Sequence, residues 1–134
     1  MVAARALRTA WGNGDGPIAS EQVEAHLDLA RGALDGAAPT QLPPVGLAIE
    51  KGAELRLLLR SGNRRRRRFE VARLLGDLLA RDDAWHPVTE LHTARQQFQR
   101  AFAAEFLCPV AGLEALLRGD CSEDAIAAAA DPFD

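Results

Sequence analysis

The chain has 134 residues, a length that suits one domain with one modest core. Hydrophobic residues make up 48% and charged residues 26%, as in soluble globular proteins, and a formal net charge of −3 argues against a globally basic nucleic-acid binder. No apolar run approaches the ~20 residues that span a bilayer, and residues 1–11, which include Arg5 and Arg8, lack the apolar core and cleavage site of a signal peptide. No membrane partner is therefore expected, and the default location is cytoplasmic.

Residues 2–11 have the composition of a short helix, stopped by Gly12-Asn13-Gly14-Asp15-Gly16-Pro17. These alternating glycines follow no strand, so they do not form a nucleotide loop. Ser20 reads as an N-cap, with Glu21 at the positive end of the helix dipole. Val23, Leu27, Ala30 and Leu34 recur at helical spacing and predict a helix over 21–35. Residues 36–44, broken by Pro39, Pro43 and Pro44, read as a linker. Residues 47–50 and 55–59 flank a Lys51-Gly52-Ala53-Glu54 turn and predict a β-hairpin.

After a turn at 61–63, five consecutive arginines, Arg64, Arg65, Arg66, Arg67 and Arg68, open the next element. Phe69, Val71, Ala72, Leu74, Leu75, Leu78 and Leu79 then give a helix that is apolar nearly all round, the kind buried at a domain centre. Asp82 and Asp83 end it, and His86-Pro87 opens a loop. A long helix is predicted over 90–107, with Leu91, Ala94, Phe98, Ala101, Phe102 and Leu107 as its buried stripe and Pro109 as its stop. Short helices follow at 110–118 and 122–130, the latter capped by Ser122. The chain closes on Asp131-Pro132-Phe133-Asp134 without a polar tail, as a fragment or a domain cut from a longer chain would. The expectation is an α+β fold: a small β-hairpin-based sheet packed on about four or five helices, with the 64–81 helix central. Residues 1–44 are expected to form an N-terminal helical segment and linker, and 45–134 the main domain.

Two blocks carry a resemblance. The first is Arg68-Phe69-Glu70-Val71-Ala72-Arg73-Leu74-Leu75-Gly76-Asp77-Leu78-Leu79, and the second is Gln99-Arg100-Ala101-Phe102-Ala103-Ala104-Glu105-Phe106-Leu107-Cys108-Pro109. In order, spacing and preceding hairpin they are similar to the ImmA/IrrE family of metallopeptidase domains, over roughly residues 45–134. That family has an Arg-Phe pair, a helix carrying H-E-x-x-H, and a later helix ending in an F-A-A-E-L-L-M-P-like string. The second block is the more specific. Phe69, Gly76, Phe102, Glu105 and Pro109 are where this chain keeps the pattern, and the resemblance implies a zincin-like helical core.

The resemblance also implies where an active relative would hold zinc. Two His one helical turn apart bind the ion, a neighbouring Glu is the general base, and a carboxylate from the following helix is the third ligand. In this chain Arg73 stands at the first His, Leu74 at the general base, Asp77 at the second His and Gln96 at the third ligand. An arginine stays protonated and cannot ligate a cation. A leucine cannot take a proton, and glutamine is a weak neutral ligand. No catalytic residue and no cofactor are expected, zinc belonging to active relatives only. Arg73 and Asp77, at i and i+4, are expected to pair across the former metal site. The function implied is a catalytically inactive regulatory or protein-interaction domain. Its implied partner is a helix-turn-helix repressor in phage, mobile-element or stress regulation.

Two rival readings are enzymatic and nucleic-acid binding. A peptidase with a displaced metal site would use Asp77 with His92 or Glu105. The run Arg64 to Arg68 would bind nucleic acid or an acidic partner. Aromatic residues are only 5% of the chain and Tyr is absent, so stacking platforms are not expected, and a solvated turn is the plainer reading. His86, Glu90 and His92 lie close in sequence, but 90 and 92 do not share a helix face, so surface or capping roles are expected. Glu105 is expected to support Arg100 or Arg73. Cys108 is expected in an apolar seat and Cys121 at the surface; two cysteines make neither a disulfide framework nor a CxxC pair, and reduced thiols follow.

Overall fold

The computed structural model describes residues 2–36, 43, 45–51 and 54–133. Six α-helices and a three-stranded antiparallel sheet make a mixed α+β fold among them. The elements are α1 (Val2–Ala10), α2 (Ser20–His26), β1 (Gly46–Lys51), β2 (Glu54–Leu58), α3 (Arg64–Ala80), β3 (Trp85–Val88), α4 (Ala94–Leu107), α5 (Val110–Leu117) and α6 (Glu123–Ala130), closed by a 3-10 turn at Asp131–Phe133. No helix among the described residues is long and apolar enough to cross a membrane.

The expected hairpin forms, with Leu47 opposite Leu58 and Ile49 opposite Arg56. Its turn residues 52 and 53 lie outside the described residues, as does most of the 36–44 linker. The segment expected to open a loop at His86-Pro87 is instead the third strand, β3. It pairs antiparallel with β1, Ala48 opposite His86 and Leu47 opposite Pro87, giving the order β2-β1-β3. In such a ladder alternate residues turn their backbone groups toward the partner strand. Pro87 has no N–H to give and sits where that loss falls on the free edge. The proline that suggested a loop is therefore compatible with an edge strand.

α3 is central, as its pattern predicts. Every residue from Glu70 to Asp77 is buried, between the sheet on one side and α4 and α1 on the other. Asn63, read as part of a turn, caps this helix: its side-chain oxygen accepts from the Arg66 amide at 3.2 Å. Gly76 lets α4 approach closely. A Cβ there would lie 2.6–2.9 Å from three atoms of Phe102, so the two residues are packed ring against backbone. Gly76→Ala is expected to destabilise the fold by about 2 kcal/mol through overpacking, read as a lower urea midpoint with an unchanged m-value.

One apolar cluster joins Ala4, Ile18, Val23 and Leu34 to Val71, Leu75, Phe102 and Phe106. The Phe102 and Phe106 rings stack at 5.8 Å, and Trp11 meets Phe106 edge-on at 5.2 Å. Buried polar anchors shape the N-terminal segment. The Arg8 guanidinium donates to the carbonyls of Gly14, Gly16 and Phe106, so the glycine-rich loop wraps a cation. Ser20 does not cap α2: it is buried within the helix, and Ala19 holds the cap position without a side-chain bond. The helix also stops at His26, short of the expected residue 35. Glu24 takes the amides of Gly32 and Leu34, both at 2.9 Å, and Asp28 adopts φ +51°, so the chain turns where periodicity alone would continue a helix.

α4 begins at Ala94, capped by Thr93, whose Oγ1 accepts from the Gln96 amide. Its buried face is Gln96, Gln99, Phe102, Ala103, Glu105 and Phe106. Leu91, Ala94 and Ala101 of the expected stripe are exposed, while Phe98 and Leu107 are half-buried. The error has a physical cause: two glutamines occupy the buried stripe because their amides have work there.

Candidate functional site

The four positions of the expected metal site lie on α3 and at the start of α4, facing β3. Arg73 is 4% exposed at its side chain. Its Nη2 donates to the Gln96 side-chain oxygen and to the Thr89 carbonyl, each at 2.7 Å. Gln96 also accepts from the Thr89 amide at 3.0 Å and donates to the Pro87 carbonyl at 3.1 Å. Three neighbours thus fix the orientation of this amide: two donors at its oxygen, one acceptor at its nitrogen. Burial pushes the Arg73 guanidinium pKa down, helped by the charges of Arg100 and Arg60 and opposed by Glu90 and Glu70. An arginine remains a cation even so.

The expected Arg73–Asp77 pair does not form. Asp77, fully buried, accepts instead from Arg95 (Nε at 3.0 Å, with Nη2 also in contact) and from His86 Nδ1 at 3.1 Å, and Arg81 is 3.7 Å away. Burial pushes the Asp77 carboxyl up, but hydrogen bonds from Arg95, Gln99 and His86 and the charge of Arg95 outweigh it, so the carboxyl is held below its ordinary value. The same contact raises Arg95. His86 is fully buried and bonded to a carboxylate, which corrects the expectation of a surface or capping role.

A pH dependence follows. Asp77 ionises more readily in the folded than in the unfolded chain, so its stabilising contribution is complete above the unfolded value of about 3.9. It erodes as pH falls from there and is gone below the folded value. As pH falls below about 4, denaturation midpoints of the wild type are expected to drop, and those of Asp77→Asn to drop less. Equal slopes would contradict this assignment.

Together these side chains satisfy the free edge of β3. Arg95 donates to the Trp85 carbonyl, Gln96 and Gln99 to the Pro87 carbonyl, Gln96 accepts from the Thr89 amide, and Arg73 holds the Thr89 carbonyl. The edge that could receive a peptide main chain by strand addition is already paired. The donor set does not fit zinc either. Arg73, where the first ligand was expected, is a guanidinium that donates to Gln96, where the third was expected, while Leu74 is buried in the apolar cluster under the sheet. Compared with protein-family models, curated proteins and solved structures, the chain matches none.

The other candidates are scattered. Glu105 pairs with Arg5 of α1 at 2.6 Å, not with Arg100 or Arg73. His92 is exposed, and among the described residues no group of three His, Cys, Asp or Glu could hold a metal ion; Asp77, His92 and Glu105 are not brought together. His26 packs against Trp11, with ring centroids 4.0 Å apart and the planes tilted by 53°. Cys121 is exposed and Cys108 half-buried. The arginine run divides. Arg68 is buried and donates to the Ile18 carbonyl at 2.6 Å, Arg67 donates to the Ala33 carbonyl at 2.8 Å, and Arg64 pairs with Asp35 at 2.9 Å. Three of the five thus tie the N-terminal segment to α3, while Arg65 and Arg66 line a cleft with Phe69.

Sequence reasoning missed Arg95 and misplaced His86, which it expected at the surface or at a cap. Arg95 had one legible signal: a cation in the first turn of a helix opposes the helix dipole and needs a partner elsewhere.

Proposed function

We propose that the chain is a catalytically inactive ImmA/IrrE-like, zincin-like domain that works by binding a protein, with a helix-turn-helix repressor in phage, mobile-element or stress regulation as the partner class the resemblance implies. The observation that carries this reading is the Arg73–Gln96 hydrogen bond at 2.7 Å. It joins the two positions where the resemblance puts the first and third zinc ligands. A second support is that Asp77, the one remaining carboxylate of that set, is spent on Arg95 and His86. Arg73 cannot ligate a metal ion and Leu74 cannot take a proton, so we read the cleft beside them as a recognition surface.

The test is hydrolysis of a fluorogenic peptide library by the purified chain with zinc, manganese or cobalt added. No turnover is expected with any of them. Cleavage that a chelator abolishes and zinc restores would defeat the proposal.

A further inference from the structure

A cleft of about 780 Å³ opens beside the Arg73–Gln96 pair. Five arginines line it: Arg60, Arg65, Arg66, Arg73 and Arg100. Two carboxylates, Glu70 and Glu90, oppose them, so the cleft is strongly positive in a chain whose net charge is −3. Glu70 is buried and already engaged, accepting the Arg60 backbone amide with both oxygens at 3.0–3.1 Å. Glu90 is different. Its side chain is 70% exposed, yet three guanidinium groups converge on it: Arg60 by a hydrogen bond, Arg100 at 3.7 Å and Arg73 at 3.9 Å. Arg73 Nε, buried at this cleft, has no hydrogen-bond partner among the described residues.

Forked guanidinium donors match carboxylates, and several around one oxyanion make a charge-assisted site. We infer that this cleft binds an acidic peptide segment of a protein partner, whose carboxylate replaces Glu90 among Arg60, Arg73 and Arg100. Glu90, on the exposed loop before α4, is the tethered stand-in that holds the arginines in place until the partner arrives. Phe69 lines the same cleft and supplies an apolar contact for a neighbouring side chain of that segment. A single aromatic ring offers no stacking ladder for bases, which favours peptide over single-stranded nucleic acid. This inference deepens the interaction-domain reading by naming the chemistry of the partner.

The probe is a dye-labelled peptide of alternating Glu and Leu, followed by fluorescence anisotropy against its Gln/Leu counterpart and an oligothymidylate of equal length. The wild-type chain is expected to bind the Glu/Leu peptide alone, and less tightly as salt is raised. Glu90→Gln should tighten binding about tenfold, and adding Arg100→Gln should reverse most of that gain. Both side chains are solvent-accessible, and circular dichroism verifies that the variants fold. If Glu90→Gln binds no tighter, if Arg100→Gln has no effect, or if the oligothymidylate binds tighter than the peptide, the inference is overturned. Zinc content of the same samples reads the non-catalytic assignment separately: stoichiometric zinc would defeat that reading without touching the peptide result.

Discussion

Replacing Arg73 by His, Leu74 by Glu, Asp77 by His and Gln96 by Glu is expected to produce a chain that binds one zinc ion, where the wild type binds none tightly. Positions 73 and 77 lie one turn apart on α3, so two imidazoles would share a face. The side chain at 96 already reaches across to position 73, as the 2.7 Å contact from Arg73 shows. A two-His, one-carboxylate set is therefore spatially available once the guanidinium is removed. The gain in zinc affinity should be at least about 10³-fold, into the submicromolar range, by calorimetric titration. Arg95 loses Asp77 in this variant but keeps Asp83 at 3.2 Å. A folded quadruple variant that takes no zinc would mean that the correspondence of these four residues with the family motif is wrong.

The second large effect is on stability. Asp77→Ala removes the acceptor shared by Arg95 and His86, both of which face the protein interior. Removing one member of a buried, hydrogen-bonded charge cluster leaves the others desolvated without compensation, and the expected cost is about 3 kcal/mol. The lower end of the usual range applies because Arg95 is 24% exposed and has Asp83 as a second partner. Tm should fall by about 10 °C, measured by thermal denaturation followed by circular dichroism. A fall no larger than that of a surface substitution would show that the cluster around Asp77 does not stabilise the fold.

Apolar periodicity made the central helix and the hairpin legible, because both bury side chains whose type announces their burial. The same signal failed on α4. Its inward face carries Gln96 and Gln99, residues that normally face water, and they are buried only because the free edge of β3 needs donors. That need is invisible in the sequence, where His86-Pro87 reads as the start of a loop. The false ion pair has a related origin. Helical spacing places Arg73 and Asp77 on one face, but it cannot say that Thr89 and Gln96 reach the first residue before the second does. That Arg73 and Leu74 offer neither a metal ligand nor a proton acceptor needed only residue identity. What these side chains bond to depended on contacts between segments far apart in the chain.

The most direct test of the central claim is the metal content of the wild-type chain expressed and purified with zinc in excess, read by elemental mass spectrometry after removal of free ion. The Arg73–Gln96 hydrogen bond predicts zinc far below one ion per chain, unchanged in Asp77→Asn. One tightly held zinc per chain, lost on that substitution, would contradict it.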